Sequence, residues 1–358
     1  MKDGEIRAMD DARRYIYDRA PLRIYWEVTR ACDLACRHCR AEARPAPDPE
    51  ELTTAQAMRL LDDMRTFVPG EASLPHLVLT GGDPLKRPDL FDLIAAARAR
   101  GFKVSLSPSA TPLLTQGTIT RFRTVGVEAI SLSLDGSTAE RHDAFRGVPG
   151  TYERTLAAAR MAELVALPVQ VNTLVAAGTL PDLPAIYELA CDVGAARWSL
   201  FFLVGVGRGA LLRAATAEQA DEVMRWAAEL PREPGRPMVT TTEAPHFRRI
   251  TRLVGHGGRG HAAGVRDGNG ILFISHTGDV TPAGFLPSVV GNVKGDHIVT
   301  LYRAAPLFVR LRKPDGFGGR CGRCELRFEC GGSRSRAFAT SGDPLAEDPL
   351  CGYIPGGN

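Results

Sequence analysis

Short apolar runs alternate with amphipathic stretches along the first 230 residues. Arg23-Ile24-Tyr25-Trp26-Glu27-Val28-Thr29 is β-branched and aromatic and predicts a strand. Thr53-Thr54-Ala55-Gln56 has the form of a capping box and opens a helix with Ala57, Leu60, Leu61, Met64 and Phe67 on one face. His76 to Thr80 is a short strand ending at Gly81-Gly82. A helix from Asp89 to Arg100 stops at Gly101, and a strand from Lys103 to Ser107 follows. Another helix near Thr118–Thr124 ends at Gly126, before a strand from Ala129 to Leu134. Helix Tyr152 to Val165, strand Val169 to Leu174, helix Leu183 to Val193 and strand Arg197 to Val204 continue the series.

About six βα repeats with apolar strands predict an α/β protein, a parallel sheet with helices outside. Sites in such folds lie at the C-terminal ends of the strands. The character changes after a helix from Ala217 to Leu230, which breaks at Pro231. A Gly-rich loop holding His256, Arg259 and His261 follows. Ile271–Ser275 and Asp279–Thr281 then read as a hairpin, and Leu301–Leu311 as one helix. The expected organisation is a polar lead-in (1–20), a core (21–230), a linker with the Gly-rich loop (231–265) and a C-terminal domain (266–358).

Charge changes this picture little: 44 Lys+Arg against 41 Asp+Glu leave +3, and no basic run marks a nucleic-acid partner. The polar N-terminus has no apolar signal region, and no run approaches a membrane-spanning length. The expected location is therefore cytoplasmic, with neither membrane nor nucleic acid as partner.

Eight cysteines change it more. Without an export signal they do not read as disulfides. Cys32, Cys36 and Cys39 lie near one end of the chain, Cys321, Cys324, Cys330 and Cys351 near the other, and Cys191 sits alone as a small apolar helix residue. Two groups so far apart look like two metal sites. A four-iron cube held by three thiolates keeps one iron open to another ligand, whereas zinc normally recruits a fourth protein ligand.

The segment Trp26-Glu27-Val28-Thr29-Arg30-Ala31-Cys32-Asp33-Leu34-Ala35-Cys36-Arg37-His38-Cys39 resembles the cluster-binding motif of the radical S-adenosylmethionine (SAM) superfamily. The resemblance implies a partial (β/α)6 parallel barrel of radical SAM type with a small cysteine-rich C-terminal extension. It also implies a [4Fe–4S] cluster on Cys32, Cys36 and Cys39, with SAM on the open iron. His38 holds the position that packs near the adenine. Gly81-Gly82-Asp83-Pro84 is similar to the family's Gly-Gly-Glu-Pro, with Asp in place of Glu, and so would contact the methionine amino group of SAM through its backbone. By the same resemblance Ser107, Ser133, Asp135, Arg146 and Asn172 reach the rest of SAM. Read plainly, the serines fit an ordinary strand, Asp135 a turn cap and Arg146 a surface loop.

The C-terminal spacing Cys321-x2-Cys324-x5-Cys330-x20-Cys351 resembles the auxiliary-cluster site of the SPASM extension. The full extension holds two clusters, but Ala283 follows Pro282 and Ser333-Arg334 lie past Cys330 where further cysteines belong. One auxiliary [4Fe–4S] cluster is therefore expected, making two clusters in the chain, with zinc as the alternative for four thiols. The tail from Cys330 to Pro349 is most like radical haem synthases and related tetrapyrrole-modifying enzymes.

The implied activity is reductive cleavage of SAM to a 5′-deoxyadenosyl radical, which abstracts hydrogen from a substrate. A one-electron donor such as flavodoxin or ferredoxin would feed it. The expected outcome is oxidative modification, such as decarboxylation, of a tetrapyrrole-like or other carboxylated small molecule. His256, Arg259 and His261 would meet that substrate or belong to an ordinary surface loop. Two alternatives remain: a maturase of a ribosomally made peptide, which the short lead-in disfavours, and a non-catalytic zinc- or iron-binding scaffold.

Overall fold

Along the N-terminal strand, Ile24 and Trp26 are fully buried while Arg23 and Tyr25 are only half-buried, and this alternation repeats around the sheet. The computed structural model describes residues 17–68, 73–255 and 264–356. Six strands come with helices between them: β1 (Arg23–Glu27), α1 (Thr54–Arg65), β2 (His76–Thr80), α2 (Leu90–Ala99), β3 (Val104–Leu106), α3 (Gln116–Thr124), β4 (Ala129–Ser133), α4 (Ala139–Arg146), α5 (Thr151–Leu164), β5 (Val169–Val175), α6 (Leu183–Asp192) and β6 (Arg197–Phe202). The capping box of α1 is present, Thr53 accepting from the Gln56 amide and Gln56 from that of Thr53.

Residues 231–265, read as linker and loop, contain more structure than expected. After α7 (Ala217–Glu229), β7 (Met238–Thr242) adds a parallel edge strand to β6, and α8 (Phe247–Leu253) follows. The Met-Val-Thr-Thr-Thr run has β-branched character but no apolar alternation, which hides it from a hydrophobic pattern. His256, Arg259 and His261 lie outside the described residues.

The C-terminal hairpin is part of the main sheet. β8 (Ile271–Ile274) pairs parallel to β1, while β9 (Asp279–Thr281) and the two-residue β10 (Gly291–Asn292) continue antiparallel. The ten strands run in the order β10-β9-β8-β1-β2-β3-β4-β5-β6-β7. The parallel arc thus has the six expected strands plus one at each end, and among the described residues no hydrogen-bonded ladder closes it. The single helix expected over 301–311 is two, α9 (Ile298–Ala304) and α10 (Pro306–Leu311), because Pro306 restarts the helix. Beyond them come α11 (Gly319–Arg323) and α12 (Arg334–Ser341).

The core lies between the outer face of the arc and the helices. Ile24, Trp26, Leu77, Leu79, Leu106, Ile130, Leu132 and Trp198 pack there with Leu61, Ile94, Phe122, Ala159, Ile186 and Met224. The inner face is polar instead, with Arg23, His76, Ser105, Ser131, Gln170 and Arg197 pointing the other way along the same strands. Parallel strands covered on both faces read as continuous apolar runs. Here one face lines a cavity, so the apolar reading holds for the outer face only. Among the described residues no helix is long and apolar enough to cross a membrane.

Candidate functional site

The loop after β1 carries Cys32, Cys36 and Cys39 past the C-terminal end of the sheet. Their side chains gather with Leu34, Ala43 and Val148 in one small cluster, Cys32 and Cys36 buried and Cys39 less so. The sulfurs accept backbone hydrogen bonds from Leu34 to Cys32 (3.3 Å) and from Ala43 to Cys39 (3.5 Å). Arg146 Nη1 donates to Cys36 Sγ at 3.4 Å. Donors aimed at sulfur suit a thiolate.

Gly81 and Gly82 lie against this loop for a steric reason. A Cβ at Gly81 would stand 2.4 Å from the Thr29 carbonyl oxygen, and one at Gly82 only 2.3 Å from that of Ala31. The Gly82 and Asp83 amides donate to those same two carbonyls, at 2.9 and 2.7 Å. The close approach that requires glycine is therefore between two backbone segments of the protein. Asp83 is buried, with Oδ2 accepting from Thr111 Oγ1 (2.7 Å) and Oδ1 from the Leu85 amide (3.2 Å). Burial pushes its carboxyl up, against those hydrogen bonds. Asp83 thus staples the loop after β2 to the one after β3, and Pro84 opens a short 3-10 turn behind it. Ser109 joins the same place, donating to the Gly82 carbonyl (3.0 Å) and lying 3.5 Å from Cys32 Sγ.

Asp135 and Arg146 meet. Asp135 follows β4, Arg146 ends α4, and the two form a buried ion pair through Oδ2 and Nη2. Asp135 Oδ1 also accepts from the Leu174 amide at 2.7 Å. Burial alone would raise Asp135, but Arg146 holds it below the usual carboxylate range. His38 stacks on Phe145, ring centroids 5.0 Å apart, and burial with the nearby Arg146 charge lowers its pKa to about 4. Two buried donors or acceptors here have no protein partner, His38 Nδ1 and Arg146 Nε. Orphaned polar atoms beside three gathered thiols fit a polar cofactor held at an iron–sulfur cluster.

Ser107, Ser133 and Asn172 are less tightly grouped. Ser107 and Ser131 share a hydrogen bond of 2.7 Å between hydroxyls, and Asn172 Oδ1 accepts from Gln170 Nε2 at 2.7 Å. Ser107 and Asn172 line a cavity of about 480 Å³ inside the arc. Ser133 is half-buried and does not line it.

Residues not singled out in the sequence hold the loop in place. Glu27, at the end of β1, accepts from Arg40 at 2.5 Å and contacts His276 Nδ1 at 2.6 Å, so the β8–β9 turn grips the segment after Cys39. Burial opposes ionisation of Glu27, but Arg40 and His276 outweigh it and lower the carboxyl to about 2. Arg208 Nε donates to the Cys36 carbonyl at 2.8 Å and its amide to that of Cys39 at 3.1 Å. Gly-Arg-Gly just past a strand end was the available signal for Arg208.

The second cysteine group gathers around α11 and the turn before α12. Cys321 Sγ accepts from the Asp348 amide (3.3 Å) and Arg334 Nη2 (3.5 Å), Cys324 Sγ from the Leu326 amide (3.4 Å) and Cys330 Sγ from the Gly332 amide (3.5 Å). Burial, with Cys351 and Cys321 nearby, pushes the Cys330 thiol up to about 12. Such a thiol ionises at neutral pH only against a cation. Among the described residues no three Cys, His, Asp or Glu side chains stand close enough to grip a single metal ion. Cys191 is far from both groups in sequence, half-buried on α6 beside Arg236.

The family described as the radical SAM superfamily matches residues 26–190. An AdoMet-dependent heme synthase of Oleidesulfovibrio alaskensis is 40% identical over 345 residues, which span 93% of this chain and 87% of that protein. A pre-heme d1 synthase of Dinoroseobacter shibae is 33% identical over 359 residues, spanning 92% and 85%. Among solved structures, Streptococcus suis SuiB bound to its precursor peptide SuiA superposes with a TM-score of 0.72 at 14% identity, covering 98% of this chain and 80% of SuiB. The last likeness concerns the fold.

Proposed function

The chain belongs to the radical SAM superfamily, and on that premise we propose that it oxidatively decarboxylates a propionate-bearing tetrapyrrole. The enzyme uses SAM and a [4Fe–4S] cluster and depends on a one-electron donor. A flavodoxin or ferredoxin is the donor of this reading. The observation that carries it is the likeness to the AdoMet-dependent heme synthase, which covers 93% of this chain rather than stopping at the shared barrel.

Cys32, Cys36 and Cys39 hold the catalytic cluster in this reading. When bound, cluster and SAM supply one-electron cleavage of SAM and removal of a hydrogen atom from the substrate. The protein's own residues do the positioning. His38, held neutral and stacked on Phe145, offers a flat face and a free Nδ1 to the adenine. The Gly81–Pro84 turn would meet the methionine end at Gly81, while its Gly82 and Asp83 amides and the Asp83 carboxylate keep it against the cysteine loop. Arg146, neutralised on one side by Asp135, turns its remaining Nε toward an anion. Ser107 and Asn172 complete the polar lining, and Ser133, at the end of β4, would meet SAM outside that cavity.

Cys321, Cys324, Cys330 and Cys351 would hold one auxiliary four-iron cluster, which would supply an acceptor for the electron left when a propionate loses a hydrogen atom and carbon dioxide to become a vinyl group. Loss of H•, CO2 and one electron from the propionate carboxylate balances that step. The polar lead-in ends near residue 20, and the core takes in β7 and β8 before the cysteine-rich extension.

Anaerobically reconstituted protein with SAM, dithionite and iron-coproporphyrin III tests this reading. It predicts 5′-deoxyadenosine together with a porphyrin lighter by carbon dioxide and two hydrogens. Deoxyadenosine without any change in porphyrin mass counts against it and favours a peptide substrate. Iron analysis separates one cluster from two: about eight irons per chain, falling to about four in Cys330→Ser, is the expected result.

A further inference from the structure

The floor of the cavity, at the N-terminal ends of the strands, holds an arrangement that the chemistry at the other end does not require. Arg23 opens β1, and Arg197 opens β6 across the arc. Both line the cavity. Neither has a carboxylate partner among the described residues, and Arg23 has no side-chain hydrogen bond there at all. Arg197 makes one weak contact, Nη1 to Gln170 Oε1 at 3.3 Å, while its Nε is buried without a partner. The acids that share the lining are committed elsewhere. Glu128 pairs with Arg98 at 3.2 Å, Glu243 accepts from Ser333 Oγ, and Asp267 accepts from the Ser335 amide and hydroxyl at 2.7 and 2.8 Å.

Two guanidinium groups facing one polar cavity with no carboxylate bonded to either are costly. Burial and the neighbouring Arg23 charge both lower Arg197 below its ordinary basicity. A bound carboxylate would relieve both penalties and satisfy Arg197 Nε. His76 Nε2, hydrogen-bonded to Ser105 Oγ at 2.8 Å, completes the rim.

We infer that Arg197 and Arg23 form a seat for a substrate carboxylate at the floor of the barrel, opposite the cysteine loop. The inference rests on the proposed tetrapyrrole reading and narrows it. The four residue steps from Arg23 to Glu27 span about 13 Å at roughly 3.3 Å per step. A substrate anchored at the floor and reacting near the strand C-termini is therefore about that long or longer. This suits a macrocycle that plants one carboxylate arm below while presenting another above, and excludes a substrate of amino-acid size.

The test is an absorbance titration of iron-coproporphyrin III and of its tetramethyl ester into reconstituted wild type, Arg197→Met, Arg23→Met and Arg197→Lys. Iron content and SAM binding are measured on each variant to establish that it folds. The seat predicts that each Met variant binds the free acid at least about tenfold more weakly, as loss of a charged hydrogen bond allows. It predicts intermediate binding by Arg197→Lys, and ester binding equal in all four proteins. Equal affinity of wild type and Met variants for the free acid overturns the seat and leaves the tetrapyrrole reading standing. If wild type takes up neither porphyrin, that reading fails, and calorimetric titration with citrate decides the seat: weaker binding in the Met variants supports it, and equal or no binding overturns it.

Discussion

Arg146 lies between a sulfur and a carboxylate, Nη1 donating to Cys36 at 3.4 Å while Nη2 pairs with Asp135. The strand end after β4 and the cysteine loop after β1 are thereby joined through one buried guanidinium. Arg146→Met leaves Asp135 buried and unpaired, which costs about 3–5 kcal/mol when one partner of a buried pair is removed. Urea unfolding of Arg146→Met should show a loss of that order. In Asp135→Asn/Arg146→Met the loss should fall below the sum of the singles, and a strictly additive result counts against the coupling.

The glycines of the Gly81–Pro84 turn make a steric prediction. Gly82→Ala places a methyl group into the Ala31 and Arg30 carbonyls, 2.3 and 2.6 Å away, neither of which can retreat without moving the cysteine loop. Iron per chain after reconstitution should fall by about four, one cube. Gly178→Ala, with nothing within 4 Å of the added carbon, should retain full iron.

Arg336 joins the extension to the barrel. It donates to the carbonyls of Phe202, Leu203 and Glu243 and to both oxygens of buried Asp348. Arg336→Met should destabilise by about 3–5 kcal/mol, because Asp348 is left without its cation. Limited proteolysis should then cut within residues 264–356 first. Protection equal to wild type would show that other contacts dock the extension.

His246 sets a pH dependence. Burial, with no hydrogen bond to either ring nitrogen among the described residues, lowers it to about 4 from an ordinary 6.5. The folded state therefore binds a proton less readily than the unfolded chain. Stability should fall as the pH drops from 6.5 toward 4, by up to about 3 kcal/mol. His246→Phe should reduce this slope in urea unfolding at pH 4 to 7 without abolishing it, because His38 and His142 are lowered to about 4 in the same way, and an unchanged slope would assign it to those groups alone.

Much of the barrel was legible in the sequence because the helix-facing half of each strand is apolar and ends at a glycine or a polar turn. His76–Thr80 is a strand over its expected span, and α1 begins with its capping box. The two cysteine groups were legible for a different reason, since the spacing of thiols is local information. Edge strand β7 was not, because three threonines carry no burial period, nor was the parallel pairing of β8 with β1, formed between segments some 250 residues apart.

What the chain determined by itself was the local order: which segments are strands, where they turn, and how the thiols are spaced. Only tertiary structure decided which polar residues face one another. Glu27 meets His276 and Arg23 shares a cavity with Arg197, each pair distant in sequence, and Asp135 meets Arg146 across the turn into a helix. The physical reason is that a strand's period assigns side chains to a face, whereas the curvature of the whole sheet decides what lies opposite.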